Sequence, residues 1–295
     1  VDAHNPQSVA SRHGHRDVTE ERTVRTAHAH TLDVDEDHVA HTKPLTTKPD
    51  HHPVITALTS REQWTPRPFT RAVSRVSAGT RAIADQVNPR ESEWHEVTAH
   101  ALAGDLPLWI VLCDSIAQAV GATHISRSWV ARIAGALTAD GRPHGIVNLS
   151  RSGARSVHVQ AEQLPLLELI DQDHALITCG VGSNDLMRNP HPPSVSARVN
   201  ELLDELPAET IVSTLPAPAA SLSGRWVNRS VSKTARRRGI RIVDVVPHLR
   251  RPREGWASDR FHPSDEGYGA WVAAYAGVLG LDASLIPDQW DPRPA

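Results

Sequence analysis

The chain predicts a doubly wound α/β sandwich, and two observations predict it. Short β-branched or apolar runs recur without internal alternation, as strands buried on both faces do. Segments of helical periodicity separate them. The runs are LWIVL at 108–112, GIVNL at 145–149, ALITCGV at 175–181, TIVSTL at 210–215 and IRIVDVV at 240–246. Helical patterns lie around Trp129 to Leu137, Val157 to Leu169, Val195 to Leu206 and Trp226 to Arg238, and a last one runs from about Asp265 to Leu279. Right-handed crossovers turn this order into a five-stranded parallel sheet covered by helices on both faces. Ligands of such sheets lie beyond the carboxyl ends of the strands, which is where chemistry is expected.

Upstream of the first strand, Phe69, Val73, Val76, Ile83 and Val87 recur at spacings of three, four and seven, the stripe of one amphipathic helix. The NPR at Asn88 to Arg90 should break it, and Trp94, Val97, Ala101 and Leu102 mark a second helix. Residues 61–106 therefore read as a helical lead-in packed on a main domain at 107–285, with a C-terminal tail at 286–295. Residues 1–60 differ. Nine of the 18 histidines fall between His4 and His52, and large apolar residues are few and aperiodic there. Such a segment buries too little to offset about 1–2 kcal/mol of backbone ordering per residue, so a disordered His-rich tail is expected. Its His13/His15 and His28/His30 pairs lack the thiolates and closed spacing of a dedicated zinc site, so no metal and no cofactor is expected.

A formal net charge of -3 on 295 residues gives no electrostatic footprint for nucleic acid or an acidic membrane. No apolar stretch approaches the roughly 18 residues of a membrane span. The start of the chain has no apolar signal region, and two cysteines, Cys113 and Cys179, make no disulfide framework. A cytoplasmic protein acting on a small molecule is expected, as a monomer by default.

At the strand ends stand Cys113-Asp114-Ser115 after the first, NLSRSG (Asn148 to Gly153) after the second, GSND (Gly182 to Asp185) after the third, and DRFHPSDEGY (Asp259 to Tyr268) after the fifth. Acyl transfer needs these types together: an activated hydroxyl, a base within hydrogen-bond reach and a group orienting that base. Ser115 is the candidate nucleophile, opening a helix after the first strand, with His262 as base and Asp259 as its orienting carboxylate. Pro263 disfavours helical geometry at His262, and Ser264 begins a helix. The backbone N–H groups of Ser115 and Gly153 and the Asn184 side-chain amide are candidate oxyanion donors.

These four blocks, in this order from about Leu108 to Leu279, resemble the SGNH (GDSL-type) hydrolase family. The resemblance implies a flavodoxin-like three-layer α/β/α sandwich and metal-free cleavage of esters or thioesters. It assigns Ser115 as nucleophile, Gly153 and Asn184 as oxyanion donors, and Asp259 with His262 to the triad. The helical lead-in resembles that of actinobacterial members, and the arginine bias (lysine only at 43, 48 and 233) fits a source of that kind. Cys113 and Ala119 stand where the family usually has glycine. An impaired site, leaving a module that binds an acyl or glycan ligand, is the alternative to a working esterase.

Other readings fit less well. GVGSND is half of a dinucleotide fingerprint and follows the wrong strand, and Ser115 lacks the glycines of a nucleophile elbow. Cys113 reads as a small core residue, although neighbouring strands would allow a Cys113–Cys179 disulfide. The arginines of PHLRRPREGW at 247–256 could meet an anionic substrate.

Overall fold

A computed structural model of the protein describes residues 52–173, 175–216, 221–249 and 254–293. Of the tail expected over 1–60, residues 1–51, with the paired histidines, lie outside these residues. Its last part does not stay a tail: Pro53–Thr59 is a helix, α1, that buries Val54, Ile55 and Leu58 in the core. His52 caps it, its Nδ1 accepting from the Val54 N–H, and Pro53 occupies a first-turn position whose missing N–H costs nothing.

The lead-in departs from its expected division. The single stripe over Phe69 to Val87 is divided: α2 (Pro68–Val76) and α3 (Ala78–Ala84) separate because Ser77 is extended and caps α3 through its hydroxyl, and Val87 belongs to the next helix. Asn88-Pro89-Arg90 does not break the chain but lies in the first turn of α4 (Val87–Ala103), where proline is tolerated. Asn88 instead reaches back, its side chain bonding both backbone groups of Trp64.

From Leu108 the predicted alternation appears. The strands are β1 (Leu108–Cys113), β2 (Gly145–Asn148), β3 (Leu176–Gly180), β4 (Ile211–Ser213) and β5 (Arg241–Val243). All pairings are parallel, in the order β2-β1-β3-β4-β5, the flavodoxin-like order with its switch point at β1/β3. The helices of this part are α5 (Trp129–Ala139), α6 (Ser156–His158), which runs through a π-turn at Val159–Gln163 into α7 (Leu164–Leu167), α8 (Ser183–Arg188), α9 (Pro192–Glu205), α10 (Leu222–Arg238) and α11 (Tyr268–Leu279). One face of the sheet packs on α5 and α11, where Trp129 stacks on Tyr275 at 4.3 Å and meets Trp109 edge-on. The other packs on α1, α9 and α10. The segment predicted as a tail beyond 285 is docked: Trp290 lies against Gly135 of α5, where a Cβ would stand 2.6 Å from the indole.

Side chains alternate across β1, and this decides the cysteine question. Cys113 faces the α5/α11 layer, whereas Cys179, paired in register with Leu112, faces the opposite one. The sheet separates them, so the disulfide that neighbouring strands would allow does not form. Both are free and buried, and the Cys113 thiol donates to the Gly180 carbonyl at 2.7 Å.

β1 outruns β2 by two residues, which would leave the Cys113 backbone half unpaired. Gln163, fully buried in the π-turn, completes it: its Oε1 accepts from the Cys113 N–H at 3.0 Å and its Nε2 donates to the Cys113 carbonyl at 2.9 Å. A buried backbone group left without a partner costs about 1–3 kcal/mol. Gln163→Leu leaves the Cys113 N–H without a partner, while the carbonyl keeps the Arg151 N–H at 3.3 Å, and should lower stability by about 1–3 kcal/mol in urea titrations.

Candidate active site

Ser115 is the second residue beyond β1. No helix opens there, contrary to the sequence expectation. Residues 114–122 form successive tight turns, with Gln118 N–H and Val120 N–H both donating to the Ser115 carbonyl at 3.1 and 3.2 Å. The cause is local. Ala119 has φ +64° and Gly121 φ +98°, left-handed values from which a right-handed helix cannot propagate. Ala119 holds at a cost of about 1–2 kcal/mol the conformation that glycine adopts freely, so the substitution leaves the backbone path intact.

Neighbouring elements over-determine this turn. Gln86, at the start of α4, accepts from the Gly121 N–H at 2.8 Å. Arg90 of α4 donates to the carbonyls of Ala122 and Thr123. Asp265 takes the Thr123 N–H and hydroxyl at 2.8 and 2.7 Å, and the buried Tyr268 hydroxyl donates to the Val120 carbonyl at 2.8 Å. Because Asp265 is committed to Thr123, it lies in turns before the helix, and α11 starts at Tyr268 rather than at Asp265.

The loop carrying His262 presses directly on the turn. A Cβ on Gly121 would run into the Pro263 carbonyl oxygen and stand 2.8 Å from the His262 Cβ. Glycine is therefore required twice at this position, by φ and by space. The contact sets the imidazole: His262 Nε2 is 2.9 Å from Ser115 Oγ, and His262 Nδ1 is 2.6 Å from Asp259 Oδ2. With the Nδ1–H donating to Asp259, the Nε2 lone pair faces the serine hydroxyl. Asp259 Oδ1 accepts from the N–H groups of Phe261 and His262, each at 3.0 Å. Burial pushes its carboxyl up, but the imidazole and these two donors outweigh burial and hold it below the ordinary carboxylate value.

The other two predicted residues approach from β2 and β3. Gly153, at φ +77°, ends a loop that Gln118 ties to the serine turn, donating to the Ser150 carbonyl at 3.0 Å and accepting from the Ser152 hydroxyl at 2.6 Å. Asn184 sits in α8 just after Gly182, whose φ of +126° directs the chain from strand to helix. The Asn184 amide donates to Asp114 Oδ2 at 3.0 Å and to the Ala154 carbonyl at 3.1 Å. Asp114 is nearly fully buried and its carboxyl is pushed up to about 6 by burial, against the Ile116 N–H and the His262 ring. It links Ser115, its neighbour in the chain, to the amide seventy positions on. The sequence reading passed over Gly121, Asp114, Gln163 and the buried Asp185, which takes the Ser156 N–H and hydroxyl at 2.9 and 2.7 Å. Among these, only the adjacency of Asp114 to Ser115 and of Asp185 to Asn184 was a visible signal. The arginines at 250, 251 and 253 lie outside the described residues, and among the described residues no group of three or more potential metal ligands occurs.

The model of the GDSL-like lipase/acylhydrolase family matches residues 112–270, from the end of β1 through the His262 loop into α11. The chain belongs to that family. It is accordingly an esterase or lipase by class. No curated protein matches it by sequence. Among solved structures it is similar to TesA, with 20% identity over 61% of this chain and 99% of that one at a TM-score of 0.52. It is also similar to the psychrotrophic esterase EstA from Pseudoalteromonas sp., in a structure inhibited by monoethylphosphonate, with 16% identity over 59% and 96% of the two chains at a TM-score of 0.50. At such identities the likeness is one of fold.

Two outcomes follow from this geometry. Gly121→Ala should displace the imidazole and lower kcat for an ester substrate by about a hundredfold, the usual cost of ångström-scale misplacement, while the far-ultraviolet circular dichroism stays native. Asp259 binds its proton less readily in the folded than in the unfolded chain, so it stabilises the fold above its unfolded pKa near 4 and stops doing so as pH falls through its lower native value. Thermal melts of Asp259→Asn should therefore fall below the parent at pH 7 and converge with it in strong acid.

Proposed function

We propose that this family member is a serine hydrolase that cleaves carboxylic esters, and thioesters by the same route, through an acyl-enzyme on Ser115. The reading rests on one observation, the hydrogen-bonded relay Ser115 Oγ–His262 Nε2 and His262 Nδ1–Asp259 Oδ2. Ser115 Oγ attacks the carbonyl carbon while its proton passes to His262 Nε2, and Asp259 stabilises the imidazolium. The same proton then goes to the leaving alcohol or thiol as the tetrahedral adduct collapses. A water molecule repeats the sequence against the acyl-enzyme and releases the acid.

The backbone N–H groups of Ser115 and Gly153 and the Asn184 amide are the proposed oxyanion donors. Asn184 already shares its two amide hydrogens with Asp114 and Ala154. The amide would reach the oxyanion in a three-centre bond, held in plane by Asp114. Against the alternative, a binding module on a disabled site, speak the left-handed turn that Ala119 keeps and the engagement of the Cys113 thiol by the Gly180 carbonyl at 2.7 Å, with Asp114 Oδ1 at 3.8 Å.

With a short-chain chromogenic ester, the parent should turn over and Ser115→Ala should not. A reactive phosphonate ester should add one phosphonyl group to the parent, seen by mass spectrometry, and none to the variant. Equal turnover by Ser115→Ala removes Ser115 from the mechanism. Asn184→Ala should lower kcat by about 10²–10³ with KM little changed; a change confined to KM contradicts its role as an oxyanion donor.

A further inference from the structure

Helix α10 presents an exposed face that the hydrolase reading does not use. Its outward residues are Leu222, Arg225, Trp226, Arg229, Lys233, Arg236 and Arg237, one continuous stripe at helical spacing along 17 residues. Leu222 is 72% and Trp226 57% exposed. The inward residues Val227, Val231 and Ala235 fill the core, so the helix cannot rotate to hide either one.

The stripe carries no carboxylate, and α10 as a whole contains none. Solvated helices ordinarily intersperse acids three or four residues from their bases, which gains a few tenths of a kcal/mol per pair. Here Arg225, Arg229 and Lys233 follow one another at four-residue spacing, where like charges repel. Arg236 and Arg237 sit near the carboxyl end, where the helix dipole favours them, but Arg225 stands near the amino end, where it does not. Among the described residues the one ion pair on this helix is a loose Arg237–Asp204 contact at 3.7 Å. Folding alone therefore gives no reason for the first three cations or for the bare indole beside them.

The apolar pair also has a location. α10 begins just beyond the carboxyl end of β4, next to β3, whose own end carries Asn184. Leu222 and Trp226 thus mark the edge of the sheet at which the candidate site lies. Met187, three residues after Asn184, is a further exposed apolar side chain of α8, 65% exposed. An amphipathic helix with indole and leucine at one end and lysine and arginine along the same face suits a surface that is anionic outside and apolar just beneath.

We propose that the α10 stripe docks the protein on an anionic lipid surface, with Leu222 and Trp226 entering the headgroup layer and Arg225, Arg229 and Lys233 meeting lipid phosphates. The net charge of -3 conceals this because the acids lie elsewhere. Nor does it require a spanning segment, and no helix among the described residues is long and apolar enough to be one. The surface goes beyond the hydrolase reading and stands without it.

Sedimentation of the full chain with vesicles tests this. The parent should pellet with phosphatidylcholine vesicles doped with phosphatidylglycerol, stay in solution with phosphatidylcholine alone, and be released by high salt. Neutralising three surface cations at about 1 kcal/mol each should make Arg225→Gln/Arg229→Gln/Lys233→Gln bind roughly a hundredfold more weakly. Trp226→Ala should weaken binding at every salt concentration. Both variants should hydrolyse a soluble short-chain ester at the parental rate, so loss of that activity in the parent speaks against the serine mechanism and not against docking. Failure of the parent to pellet, equal pelleting by the triple variant, or indifference to Trp226→Ala together with equal binding to a soluble polyanion would each overturn the proposal.

Discussion

The backbone of Gly121 lies against Pro263 and His262 with no room for a methyl group between them, and the site is built around that approach. A serine at one strand end and a histidine nearly 150 residues later meet at 2.9 Å because two loops press together there, main chain on main chain. Loops are usually the softest part of an α/β sandwich. This pair is not left to itself. The serine turn hangs from α4 through Gln86 and Arg90, from α11 through Tyr268, and from the histidine loop through Asp265. The left-handed strain at Ala119 persists because so many partners hold the turn.

The elements that were legible in the sequence are those whose pattern is imposed by burial. Strands covered on both faces must be apolar throughout, so all five showed, and their flavodoxin-like order is the one that the family resemblance implied. The candidate site was legible for a related reason. Ser115, Gly153 and Asn184 stand a few residues after apolar runs, the Asp259–His262 pair lies in the longer loop after the last one, and the fold brings the ends of those runs to one edge.

What was hidden depends on contacts between distant residues. Nothing local tells that Asn88-Pro89 opens a helix and does not close one, or that Ser77 divides a periodic stripe whose hydrophobic phase continues across it. Residues 53–59 looked like more of the histidine-rich stretch because three buried apolar side chains are too few for periodicity to register. The helix expected at Ser115 was a fair inference from an Asp-Ser pair after a strand, but two left-handed residues, one of them alanine, override the propensity. Gln163 was invisible in kind, since a side chain that imitates a neighbouring strand leaves no sequence pattern.

The attachment of α4 to the serine turn bears on where this enzyme's autonomous folding unit begins. The family match starts at residue 112, inside β1, yet the amide and guanidinium that fix the far side of the serine turn come from Gln86 and Arg90. A polypeptide trimmed to the family boundary would keep every candidate residue of the site and lose the two side chains of α4 that hold the serine turn. The helix before β1 is thus part of the body that shapes the candidate site, and the region that defines kinship is shorter than the region that holds the serine turn.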